Sequence, residues 1–318
     1  VGKHILVTGA LGNLGRKLIR RLAPVPQIAH ITGLDRAEAP ERWALDLRRE
    51  LHAEHPEASV ADLDFVVADL RRWPAGGWRA AVADCDALVH FAAQVPEPRA
   101  TWDDAAASLD MNLHVGLAAV AAPRCRRVVF AATNHVMGRY KDEPLASTIG
   151  PHRLAPDSPY GVGTVVEIGA VAMDSTPYAA AKFAGERLYR ALAQADRGQG
   201  DTEFVNVRIG WCNFGANHPA SLTATGSPDV VEAGVPAADL AALQRAHRWF
   251  QEMWLSNRDF GQLFEKALLA PSDSWPGPAI CVNGMSRNRG MVWNLHATRR
   301  WLGYEPQDDV REHIPLSE

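Results

Sequence analysis

Apolar residues in this chain fall into short continuous runs, separated by stretches in which they recur every three or four positions. Residues 5–7, 28–34, 64–68, 87–91 and 127–132 read as strands, and 13–23, 41–55 and 101–122 as the helices between them. Runs that are apolar throughout, rather than alternating, belong to a sheet covered on both faces. Strands spaced by helices run parallel. The expected fold class is therefore α/β, a doubly wound parallel sheet of the Rossmann type with a smaller C-terminal substrate lobe. Ligands of such sheets lie at the carboxyl ends of the strands.

The pattern loosens in the second half. Residues 141–176 are rich in Pro, Gly, Ser and Thr and read as an inserted loop or lid over the active site. A strong helical pattern follows over 178–195, with outer bounds 177–198, and then a buried strand over 203–209. Residues 213–235 read as loop, 237–269 as mostly helical, 279–283 as a strand and 293–302 as a helix. The expected division of the chain falls between 1–210 and 211–318, with a strand at 279–284 returning to the main sheet. No internal repeat or low-complexity tail is visible.

The chemistry sits at the strand ends. The first strand runs into Thr8-Gly9-x-x-Gly12-x-x-Gly15, whose glycines let the backbone turn tightly and approach a pyrophosphate at the N-terminus of the next helix. Glycine turns are common, and the flanking strand and helix give this one its meaning. Asp35, ending the second strand, suits the adenosine ribose hydroxyls of NAD and would repel a 2′-phosphate; Arg36 and Arg16 keep NADP open. Far downstream, Tyr178 and Lys182 are one helical turn apart and share a face. A tyrosine of ordinary pKa about 10 needs a neighbouring cation to act as a base near neutral pH. Tyr160 has only Thr164 at the same spacing.

Composition narrows the classes. With 318 residues, 47% hydrophobic and 22% charged, the chain is an ordinary globular protein with ample length for a core. A net charge of −4 gives no reason to expect nucleic acid or an anionic membrane as partner. No apolar run reaches the roughly 18 residues of a membrane span, and the first residues read as a strand rather than a leader. Cys85, Cys125, Cys212 and Cys281 are isolated, which suggests free thiols in a reducing cytoplasm. The histidines show no ligand spacing, and no metal is expected. Trp249, Phe250 and Trp254 are assigned to packing within the lobe.

On these motifs the chain resembles an extended short-chain dehydrogenase/reductase of the NAD-dependent epimerase/dehydratase superfamily, over nearly its whole length. Thr133-Asn134-His135, Trp254-Leu255-Ser256, Asn283 to Asn288 and Leu302 to Pro306 are closest to bacterial uronate dehydrogenases. The resemblance implies NAD held by Gly9, Gly12, Asn13, Leu14, Gly15, Asp35, Arg36, Asp69, Leu70, Phe91, Ala92, Ala93, Asn112, Tyr178, Lys182 and Ile209. It implies a catalytic Thr133, Tyr178 and Lys182, with Thr133 orienting the reacting oxygen. Asn134 and His135 would contact the sugar, and Arg248, with Arg245 as its rival, would clamp a carboxylate. The implied reaction is NAD-dependent oxidation of a hydroxyl, the ring hemiacetal, of a sugar or sugar acid. The implied assembly is a homodimer through the helices 101–122 and 178–195, whose faces are alanine-rich.

Alternatives are a nucleotide-sugar epimerase that keeps NAD bound and a cofactor-sensing regulator on the same fold. Such regulators commonly lose the tyrosine or lysine, and both stand here. The dehydratases' Asp-Glu pair is absent after Thr133. The chain departs from the uronate dehydrogenases at Asn13, at Val95, at Trp211-Cys212, and in a Thr133-to-Tyr178 separation about twice that of the compact sugar dehydrogenases.

Overall fold

A computed structural model describes residues 2–73, 77–94, 99–195, 201–227, 232 and 235–315. Its first half is β1 (Lys3–Thr8), α1 (Asn13–Leu22), β2 (Ile28–Asp35), α2 (Trp43–Glu54), β3 (Asp62–Val67), α3 (Trp78–Asp84), β4 (Ala87–His90), α4 (Trp102–Ala121) and β5 (Arg127–Thr133). The second half adds β6 (Val165–Ile168), β7 (Val171–Asp174), α5 (Thr176–Ala195), β8 (Glu203–Ile209), α6 (Leu240–Glu252), α7 (Asn257–Leu269), β9 (Ala279–Gly284) and α8 (His296–Leu302). Seven strands form one sheet in the order β3-β2-β1-β4-β5-β8-β9. All its pairings are parallel.

Both faces are covered, which is why the strands read as continuous apolar runs. Ile5 and Val7 of β1 point into a core shared with Leu18, Ile19 and Leu22 of α1 and Phe260 and Phe264 of α7. Leu6, between them, points the other way, to Val82 of α3, Val115 of α4 and Tyr189 of α5. The first core continues without a break into Trp249, Phe250 and Met253 around α6. The C-terminal lobe therefore shares the core of the sheet.

Several elements differ from the sequence pattern. Residues 141–176 are not an unstructured loop: β6 and β7 pair antiparallel across Gly169, whose φ of +58° makes the turn. The alternating burial of this hairpin is a period-2 signal of only four residues per strand, obscured by the surrounding Gly and Pro. The helical stretch 237–269 is broken between α6 and α7, where Ser256 Oγ accepts the Asp259 backbone N–H at 3.0 Å and starts a new helix. α3 escaped the pattern because it has seven residues, of which Trp78 and Val82 are buried. Residues 196–198 of the expected helix lie outside the described set.

Strand β8 is held to α5 by charge. Arg208 of β8 reaches Glu186 of α5 through two parallel bonds of 2.9 and 2.8 Å, and donates to the Pro156 carbonyl at 3.0 Å. The two side chains are 1% and 5% exposed. A buried pair of this kind adds little over apolar packing, but a lone survivor is costly. Arg208→Met should lower unfolding free energy by about 3–5 kcal/mol in urea titration. Adding Glu186→Leu should restore most of the loss; an additive double variant would show that the charge pairing is not the cause.

Candidate active site

The site begins where β1 ends. Gly9 turns with φ +70°, and a Cβ there would lie 3.0 Å from the Ala92 nitrogen. At Gly15, on the first turn of α1, a Cβ would sit 2.2 Å from the Gly9 carbonyl oxygen. Only hydrogen fits, so the turn folds tightly against the α1 N-terminus and leaves amide groups facing the cavity. Beside it, Asp35 Oδ2 accepts the Leu11 N–H at 3.1 Å and Oδ1 that of Ala37 at 3.3 Å, fixing the carboxylate at the end of β2. At the end of β3, Asp69 is hydrogen-bonded by Arg71, which draws its carboxyl down to about 2.

Beneath the cavity runs a buried polar chain. The Asn112 amide donates to the Ala181 carbonyl at 3.3 Å, so its Oδ1 must be the atom facing His90 Nε2 at 3.1 Å. His90 therefore carries its proton on Nε2 and accepts at Nδ1 from Thr8 Oγ1, 2.8 Å away. Thr8 Oγ1 in turn accepts the Ala92 N–H at 3.2 Å. Burial, with Lys182 nearby, lowers the His90 pKa to about 3 and keeps the ring neutral.

Over this floor β5 delivers Thr133 and a tight turn carrying Asn134 and His135. Thr133 Oγ1 accepts the His135 N–H at 3.2 Å, which leaves its own proton to donate. Asn134 donates to the Ile209 carbonyl at 2.9 Å, while its Oδ1 is buried with no partner among the described residues. His135 Nδ1 bonds Thr164 Oγ1 at 2.8 Å, tying the inserted segment to the site, and burial holds its pKa near 4. α5 supplies Tyr178 and Lys182. The lysine Nζ lies 4.6 Å from the Phe130 ring centre and 5.8 Å from that of Tyr178. Its complete burial lowers its pKa to about 7, so without a ligand much of its charge is lost at neutral pH.

One cavity of about 630 Å³ brings these groups together. Among its lining residues are Gly9, Gly12, Asn13, Leu14, Gly15, Asp35, Arg36, Asp69, Leu70, Phe91, Ala92, Ala93, Thr133, Asn134, His135, Tyr178, Lys182 and Ile209. Two expected residues are not among them. Asn112 lies beneath as a link in the buried chain. Arg248, on α6, is exposed outside the cavity with Nε 3.5 Å from Glu252, one helical turn on, and Arg245 is also exposed. Neither arginine is a carboxylate clamp in this geometry. Val95 lies outside the described residues.

The sequence pattern passed over other walls of the cavity. Met173, Asp174 and Ser175 enter from the end of β7, and Phe214 and Ser227 from beyond β8. No local signal marks them, because the β6–β7 hairpin and the long 211–227 connection bring them in. The cavity fits a dinucleotide: a glycine cradle that a Cβ would fill and a fixed carboxylate at the second strand. Among the described residues no group of three or more His, Cys, Asp or Glu could hold a metal, and no helix is long and apolar enough to cross a membrane.

The model of the NAD dependent epimerase/dehydratase family matches residues 5–166. The L-arabinose 1-dehydrogenase (NAD(P)(+)) of Haloferax volcanii is 30% identical over 307 residues, covering 96% of this chain and 97% of that protein. The uronate dehydrogenase of Agrobacterium fabrum is 28% identical over 318 residues, covering 98% and 88%. The solved structure of glucuronic acid dehydrogenase from Chromohalobacter salexigens shares the fold, with a TM-score of 0.63 at 22% identity over 100% of this chain and 91% of that one. The chain belongs to the NAD-dependent epimerase/dehydratase family.

Lys182 makes the site costly to build, with a definite pH dependence. Below about pH 7 the lysine is charged in both folded and unfolded chains, and burying the charge costs stability in full. Between there and its ordinary value of 10.5 the unfolded chain binds a proton that the folded one does not, so stability rises with pH. Lys182→Met should therefore be more stable than wild type at pH 7, with a margin that shrinks toward pH 10. Paired urea titrations read the difference, and a margin that widens with pH would refute the assignment.

Proposed function

We propose that the chain oxidises the ring hemiacetal hydroxyl of a sugar, with NAD as cofactor. The observation that carries this reading is the meeting of Thr133, Tyr178 and Lys182 with the unsatisfied Asn134 Oδ1 in one cavity that also holds the glycine cradle. The L-arabinose and uronate dehydrogenases named above support it.

Gly9, Gly12 and Gly15 would seat the pyrophosphate of NAD, and Asp35 would receive its adenosine ribose hydroxyls. NAD, when bound, supplies the hydride acceptor. Thr133 donates its free proton to the reacting oxygen and holds it near Tyr178. Tyr178 takes the hydroxyl proton. Lys182 in its protonated form would stabilise the deprotonated tyrosine, the nearby phenolate favouring the charged state of the lysine. Asn112 and His90 act through Ala181, holding the helix turn that presents Lys182. Net accumulation of NADH separates this reaction from epimerisation, which restores the hydride.

The same reading includes a homodimer and a cytoplasmic location. The buried alanines of α4, among them Ala105, Ala118 and Ala119, pack within the subunit. Leu109, Leu113 and Leu117 of that helix remain 39%, 40% and 37% exposed along one stripe. An apolar stripe of this spacing suits a second copy of the helix. Four free thiols suit a reducing compartment.

Tyr178→Phe should lower kcat by about a hundredfold or more while leaving NADH affinity, read by fluorescence titration, close to wild type. Residual activity near wild type would remove Tyr178 from the mechanism. In light scattering at micromolar concentration the chain should show twice its monomer mass, and Leu113→Glu should halve it. A wild-type monomer would end the dimer proposal.

A further inference from the structure

Building on the proposed sugar oxidation, we infer that the substrate is a neutral aldose, carrying neither carboxylate nor phosphate, and that Asp174 and Trp211 select it. The wall around the reacting groups offers hydrogen-bond acceptors and a flat apolar face, not positive charge.

Asp174 ends β7 and lines the cavity four residues before Tyr178. Its Oδ1 accepts the Thr176 N–H at 2.8 Å, which anchors the carboxylate at the start of α5. Asn134 Oδ1 is the second acceptor, buried and unsatisfied among the described residues. Both atoms want donors, and sugar hydroxyls are donors. Trp211 supplies the flat face. Its Nε1 donates to Asn213 Oδ1 at 2.7 Å, and its ring stands edge to face with His135 at 5.8 Å and Phe250 at 5.1 Å. Pinned on three sides, the indole is a rigid platform for the C–H face of a sugar ring.

Among the described residues, the wall formed by Asn134, Asp174 and Trp211 offers an anionic substituent no cationic side chain. The cationic side chains lining the cavity are Arg36, Arg71 and Lys182. Arg36 and Arg71 stand beyond the ends of β2 and β3, on the Asp35 side, and Arg71 is engaged with Asp69. Lys182 lies under Tyr178 against Phe130. Lys17, behind the wall, already donates to the Asn213 carbonyl and to Asn257 Oδ1. Arg99 pairs with Glu167 at 3.8 Å, and Arg248 with Glu252. Among the residues outside the described set the one lysine or arginine is Arg197. A carboxylate or phosphate in this pocket would lose its water and face Asp174 unpaired.

The test is a panel of matched sugars read by NADH formation: pentoses and hexoses in several epimers, each beside its uronic acid and its phosphate ester. At least one neutral sugar should exceed its charged counterparts in kcat/KM by about tenfold or more. Asp174→Asn keeps the cap and removes the charge, and should narrow that ratio by raising the charged substrates. A charged sugar preferred by wild type would overturn the inference and leave sugar oxidation standing. An unchanged ratio in Asp174→Asn would overturn the role of Asp174. NADH formation from none of the sugars would overturn the sugar reading itself, and the inference with it.

Discussion

Four hydrogen bonds in series run from the Ala92 amide through Thr8, His90 and Asn112 to the Ala181 carbonyl, and they work in one direction only. Each member both accepts and donates, so a single proton on the wrong histidine nitrogen would leave two buried groups facing each other without a hydrogen. The chain crosses from β1 to β4 to α4 to α5. It thereby sets the position of the cofactor turn, which begins after Thr8, against that of Lys182, which follows Ala181. The two halves of the site are nearly 170 residues apart in sequence, and this buried contact locks their relative position.

What the sequence showed clearly was whatever depends on neighbours along the chain. The glycine turn is legible because its glycines are demanded by backbone atoms within a few residues of one another, such as Gly15 against the Gly9 carbonyl. Tyr178 and Lys182 are legible because one helical turn aligns them. Thr133, Asn134 and His135 are legible because they end a strand. Arg248 shows where that logic fails: whether an arginine faces a cavity depends on how its helix is rolled, and the roll of α6 is set by Trp249 and Phe250, buried at 4% and 0%. With those rings inward, Arg248 turns outward to Glu252. Met173 and Asp174 were illegible as a wall for the converse reason, since only tertiary packing assembles them.

The site also shows how stability is spent on chemistry. Lys182 and Asn134 are each buried at less than 4% exposure, one with its charge suppressed and one with an acceptor unsatisfied. The buried lysine is the costlier of the two, because burial works against its charge. The resulting site is held in readiness by the rigid apolar layers on either side of the sheet, rather than assembled around the ligand.

The cofactor helix and the substrate wall are joined directly. Asn13 on α1 donates to the Cys212 carbonyl at 2.9 Å, and Lys17, one turn later, holds the next carbonyl and the first residue of α7. Opening the lobe like a jaw would break these bonds between α1 and the segment after β8. These contacts make the helix under the glycine turn and the wall that carries Trp211 a single mechanical unit, so a substitution at Lys17 would be felt on both sides of the cavity.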